Sequence, residues 1–70
     1  MMDPQATWNE LLACHADGRA DDAREAAASL LGWLERGGFA PTTLDCLARD
    51  DSLHRVIAAA VCRQLLSSVE

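Results

Sequence analysis

The chain has 70 residues, of which half are hydrophobic, and a formal net charge of −5 at neutral pH. This length suits one domain with a thin core, and no apolar run reaches the roughly 18 residues that suggest a membrane span. The six basic residues are all arginines dispersed along the chain, which disfavours a nucleic-acid or anionic-membrane partner. Residues 1–5 contain neither the basic nor the apolar block of a signal peptide.

Alanine and leucine dominate the apolar residues, and both are strong helix formers. β-branched and aromatic residues, which favour strands, are few and scattered. The sequence therefore predicts an all-α fold, a small antiparallel bundle of three to four helices in a single domain over residues 1–70. The predicted helices cover about 4–16, 20–36, 43–49 and 52–68.

The first helix has a clear start and stop. Asp3 is a suitable N-cap and Pro4 suits the first helical position, although Thr7 offers an alternative start with capping-box spacing. Gly18 tolerates the left-handed conformation that ends many helices. Between them an apolar stripe follows i, i+3, i+4, i+7 spacing: Trp8, Leu11, Leu12 and His15.

The second helix is predicted from about Ala20 to Arg36, and the carboxylates of Asp21 and Asp22 at its start suit the positive end of the helix dipole. Gly37-Gly38-Phe39 resembles a Schellman stop, with Gly38 as the left-handed residue and Phe39 against Leu34. Pro41 prevents continuation. The expected apolar face consists of Ala23, Ala27, Leu30, Leu31 and Leu34.

The final third of the chain allows two interpretations. A short helix at 43–49 followed by a helix at 52–68, capped by Asp51 or Ser52, fits the slip in the apolar stripe; one continuous helix from Thr43 is the alternative. The last helix is apolar nearly all round, centred on Ile57, Val61 and Leu65. Such a helix is usually central in a fold or shared with a partner.

Two resemblances emerge from these motifs. Trp8-Asn-Glu-Leu-Leu12 and Trp33-Leu-Glu-Arg-Gly-Gly-Phe39 resemble the opening and the stop of a group of short bacterial helical proteins, which implies a helical fold and no particular activity. Trp8, Leu11, Gly18, Ala23, Ala27 and Leu30 are similar to a single tetratricopeptide hairpin, a repeat that binds peptides. The Trp8–Ala23 spacing is one residue short for that repeat, and the chain has no second copy of it.

The excess of apolar surface on the last helix predicts a protein–protein interaction module that can associate with itself. The candidate surface is a strip of Ala59, Cys62 and Leu66, with Arg55 at its margin and Trp33 as a further contact. The small Ala59 would let two such helices approach closely, and a twofold axis would place the strip against itself. A structural homodimer with no further partner is the alternative.

The three cysteines suggest free thiols in the cytoplasm, because an odd number of cysteines at such wide spacing fits no disulfide framework. Cys14, Cys46, Cys62, His15 and His54 lack the close ligand pair that zinc sites usually have. We therefore expect no metal or other cofactor and no enzymatic activity. A thiol-based or metal-binding activity using Cys46 and His54 is a lower-ranked alternative, because Cys46 would lie in the first turn of a helix.

Overall fold

The computed structural model describes residues 2–44 and 50–67. Within them the chain forms three α-helices and no strand: α1 at Pro4–Ala16, α2 at Ala20–Glu35 and α3 at Asp51–Ser67. The all-α prediction is confirmed as a three-helix bundle. A continuous helix from Thr43 is wrong, because Thr43, Leu44 and Asp50 are not helical. The rest of the predicted helix at 43–49 lies outside the described residues.

Side chains cap the N-termini of α1 and α3. Asp3 accepts hydrogen bonds at Oδ1 from the backbone N–H groups of Gln5 and Ala6, at 3.0 and 3.2 Å, and Pro4 occupies the first turn. For α3, Asp50 Oδ1 accepts from the N–H of Leu53 at 3.1 Å. The capping residue of α3 is thus Asp50, so the predicted cap at Asp51 or Ser52 lies one or two positions too late.

Both α1 and α2 end in Schellman motifs. At the end of α2 the N–H of Gly37 donates to Leu34 O and that of Gly38 to Trp33 O, the two bonds that define this motif. The left-handed residue is Gly37, with φ of +88°, so our assignment of Gly38 to that role is wrong by one residue. Gly18 takes the same position after α1.

Helix α2 lies between its neighbours. Its extensive interfaces are with α1 and with α3, whereas α1 and α3 contact each other only slightly in the described part of the chain. One apolar cluster joins the three helices. Its buried members are Trp8, Leu11, Ala26, Ala27, Leu30, Leu34, Ala58, Ala59 and Cys62.

The packing corrects the predicted faces of α1 and α3. In α1 the buried positions include Trp8, Leu11 and Cys14, whereas Leu12 and His15 are exposed. In α3 the buried side is His54, Ala58, Ala59 and Cys62 rather than a face centred on Ile57, Val61 and Leu65. Ala58, Ala59 and Cys62 of α3 share the buried apolar cluster with Ala26 and Ala27 of α2, and small side chains permit two helices to approach closely. The buried side of α3 thus consists mainly of small residues, and it leaves Leu53 and Val56 exposed.

The segment between α2 and α3 is held against α1. The Gln5 side-chain amide accepts from Thr42 N–H at 2.8 Å and donates to Thr42 O at 3.2 Å, and Pro41 is buried. This two-bond contact brings residues 38–43 back across the end of the bundle at which α3 begins.

Candidate interaction surface on the last helix

The N-terminal turns of α3 bind the preceding segment through polar side chains. The Arg55 guanidinium donates to Leu34 O at 3.0 Å and to Gly38 O at 2.7 Å, and its Nη2 lies 3.5 Å from Asp51 Oδ2. Asp51 Oδ1 accepts from Ala40 N–H at 3.1 Å. A cation that binds carbonyls at a helix C-terminus is favourably placed in the helix dipole. Arg55 thus fixes the orientation of α3 on the end of α2.

His54 continues this contact inside the fold. It is 4% exposed, and its Nδ1 accepts the backbone N–H of Thr43 at 3.0 Å. The Thr43 hydroxyl lies 2.9 Å from the same nitrogen. An imidazole that accepts at Nδ1 carries its proton on Nε2. The sequence contains no signal for the His54 bond or for the two Arg55 bonds, because the partners are backbone groups 11 to 21 residues away.

The strip predicted as an interaction surface is largely internal. Ala59 and Cys62 are 8% and 0% exposed and belong to the core, so the expectation that they form an exposed strip is wrong. Leu66 and Trp33 are half-buried and pack against the core. Trp33 also donates from its indole N–H to Phe39 O at 2.8 Å and meets the Phe39 ring edge-on at 5.7 Å. Its principal contacts are therefore within the chain.

The described thiols and histidines do not gather into one site. Cys14 and Cys62 are buried and free, His15 is exposed, and Cys46 lies outside the described residues. Burial raises the pKa of the Cys62 thiol from 9.0 to about 11, and the Arg63 guanidinium opposes part of the rise. A buried thiol with a raised pKa is a poor nucleophile. Among the residues that the structure describes, His, Cys, Asp and Glu nowhere gather as three or more potential metal ligands.

The side of α3 that faces away from α2 is apolar over its first half. Val56 is 63% exposed and Leu53 is 45% exposed, and Ala60 is exposed one turn further on. These residues recur at spacings of three and four, so they form one continuous stripe. We call the exposed residues Leu53, Val56, Ala60 and Arg63 the outer face of α3.

Charges of opposite sign lie at the two ends of the outer face. Asp50 is exposed at the N-terminal end. Arg63 is exposed two turns beyond Val56, and it forms no ion pair within residues 2–44 and 50–67. Asp51, by contrast, is already paired with Arg55. The outer face therefore has an acidic end, an apolar middle and a basic end.

Two other surfaces are less suited to bind a partner than the outer face of α3. A polar groove between α1 and α2, with a volume of about 340 Å³, is lined by Glu10, Asp22 and Glu25, and Arg19 in its wall pairs with Asp22. Solvated charges account for this groove. Leu12 on α1 is 44% exposed, but its exposed neighbours one turn away are the polar Asn9 and His15 and the small Ala16.

Within residues 2–44 and 50–67 the geometry defines the class of the molecule as a three-helix bundle, and the outer face of α3 is an uncovered apolar helix face. None of the helices in the described ranges is long and apolar enough to cross a bilayer. Comparison of the chain with models of protein families, with curated protein sequences and with solved structures found no match.

Proposed function

We propose that this chain is a small helical protein–protein interaction module that binds its partner through the outer face of α3. The observation that carries the proposal is the exposure of Leu53 and Val56 on successive turns of a helix whose opposite side is packed into the core. Fully burying a leucine or valine side chain contributes about 1.5–3 kcal/mol. These two half-exposed residues therefore leave a gain of about 1 kcal/mol each for a partner to realise.

The surroundings of the outer face suit a helical partner. Ala60 is small enough for a second backbone to approach closely, and exposed polar groups border the apolar middle. Helices that lie on such a stripe place apolar residues at i, i+3, i+4 and i+7. The alternative, a thiol-based activity at Cys46 and His54, has no contact in the described residues that favours it.

Site-specific photo-crosslinking in the native cell tests the proposal. A photoreactive amino acid replaces Val56, and the matched control carries it at Leu12, which is 44% exposed but lies on α1. We expect discrete covalent adducts from position 56 that are absent from position 12. Equal labelling from both positions, or no adduct from position 56, would contradict the proposal.

A further inference from the structure

We propose that the partner on the outer face of α3 is a second copy of this chain, bound antiparallel about a twofold axis; this inference rests on the proposed function. Closed twofold pairing brings the same surface of each copy together. The surface must then be complementary to itself, and the distribution of charge and size along the outer face meets that requirement only when the two helices run in opposite directions.

The spacing of the outer face sets the register. Leu53, Val56, Ala60 and Arg63 are separated by three, four and three residues, the spacing of the seam in a pair of packed helices. An antiparallel pair centred between Val56 and Ala60 brings Val56 of each copy against Ala60 of the other. The larger residue of one helix thereby meets the smaller residue of its partner, which permits close packing.

Charge selects the antiparallel orientation. In this register Arg63 of each copy lies beside Leu53 of the other, with its guanidinium next to the partner's acidic end at Asp50. The aliphatic part of an arginine side chain covers apolar surface while its charged head reaches toward solvent and a carboxylate. A parallel pair would instead bring the two Arg63 side chains together, and also the two Asp50 side chains, and like charges in contact oppose association.

Analytical ultracentrifugation of the full chain over the micromolar range tests whether a second copy of the chain is the partner. We expect a reversible monomer–dimer equilibrium, because the apolar area is small and each copy carries a charge of −5. Val56→Glu should abolish the dimer, since it places a carboxylate in the apolar middle. The control Leu12→Glu alters an apolar residue on α1 that is 44% exposed and should leave the equilibrium unchanged.

Two further variants test the charge argument without disturbing the fold. Arg63→Glu should weaken dimerisation by about tenfold or more, because it places like charges at both ends of the interface. Asp50→Asn retains a good N-cap but removes the carboxylate, and we expect a weakening of a few-fold. Circular dichroism must show that each variant keeps the helix content of the parent chain. If Val56→Glu loses helix content, the effect of Arg63→Glu on dimerisation decides whether the proposal holds.

The orientation itself is measured by isotope-filtered nuclear Overhauser spectroscopy on a mixture of labelled and unlabelled copies. Contacts between the methyl groups of Val56 in one copy and Ala60 in the other support the proposal. Contacts between the two Val56 side chains accompanied by contacts between the two Arg63 side chains would indicate a parallel pair and overturn it.

A chain that stays monomeric at high micromolar concentration also overturns the second-copy proposal. If position 56 then crosslinks to a different protein, the interaction-module proposal stands with another occupant. If position 56 gives no adduct in the native cell, both proposals fail.

Discussion

Two adjacent glycines at the end of α2 are required for different physical reasons. Gly37 has a φ of +88° with open space around it, so its need is conformational. Gly38 has ordinary φ, but a Cβ there would overlap the indole ring of Trp33. The indole cannot easily move away, because its N–H donates to Phe39 O. The Gly-Gly sequence thus combines a helix stop with a close contact.

Alanine substitutions should separate these requirements. Gly37→Ala should lower the free energy of unfolding by about 1 kcal/mol because of positive φ. Gly38→Ala should cost more, about 1–3 kcal/mol, because it overpacks the indole. Urea unfolding measures both effects, and Trp33 fluorescence should shift only for Gly38→Ala.

Gly32 provides a matched control for this pair. It lies within α2, and a Cβ there would meet nothing closer than the Arg36 guanidinium at 3.6 Å. Gly32→Ala should therefore stabilise the chain by about 1 kcal/mol through helix propensity. Equal losses for Gly37→Ala and Gly38→Ala, with no change in fluorescence, would mean that the indole does not pack on Gly38.

The buried thiol of Cys62 should make folding stability fall at alkaline pH. Its pKa is about 11 in the fold against 9.0 without burial, so the unfolded chain releases the proton first. The protonated Cys62 thiol therefore makes its full contribution to the free energy of unfolding below pH 9. This contribution is lost as the pH rises toward 11, by about 2–3 kcal/mol in total. Thermal unfolding at a series of pH values measures this decline.

The composition makes this alkaline range informative, since the chain contains no tyrosine and its basic residues are all arginine. Cys62→Ala should be less stable at neutral pH, because it leaves a small cavity, but should lose most of the decline above pH 9. A variant that retains the full decline would show that another group is responsible.

At the scale of the helices, the sequence predicted the start of α1 and the ends of α1 and α2 to within one residue, since caps and glycine stops are local signals. The inner face of α3 was not predicted. Helical periodicity favoured its large aliphatic residues, whereas the residues buried in the bundle are His54, Ala58, Ala59 and Cys62. That choice depends on the surface of another helix, which a single-helix pattern does not contain. The same lack of nonlocal information concealed the roles of Gln5, His54 and Arg55.

Arg55 should be the most important cation for the attachment of α3. Arg55→Met keeps the aliphatic part of the side chain but removes the bonds to Leu34 O and Gly38 O. Hydrogen bonds to charged groups contribute about 1.5–3 kcal/mol, and partial solvent exposure places the expected loss near the lower value. Chemical unfolding at low micromolar concentration measures this loss.

Arg63→Met is the control on the same helix, since Arg63 is exposed and forms no ion pair in the described ranges. Its effect on the monomer should stay within about 0.5 kcal/mol. If both variants lose the same stability, general charge effects rather than the Arg55 bonds attach α3.

For the whole molecule, the two sides of α3 should respond oppositely to the same substitution. Leu66→Glu should destabilise the fold by about 1–3 kcal/mol, because Leu66 is half-buried against the core and a carboxylate there is poorly solvated. Val56→Glu should leave monomer stability nearly unchanged, since Val56 is 63% exposed. Calorimetry at low concentration provides the comparison. A Val56→Glu chain that unfolds would show that this side of α3 belongs to the core.

The central position of α2 also has a kinetic consequence. Residues 17–19 join α1 to α2, whereas the much longer stretch 36–50 joins α2 to α3, and closing a longer loop loses more chain entropy. The α1–α2 hairpin is therefore expected to form in the transition state for folding, with α3 docking afterwards. Truncation of Leu11 should accordingly slow folding, while truncation of Leu66 should mainly accelerate unfolding. Stopped-flow kinetics that show the reverse pattern would place α3 in the folding nucleus.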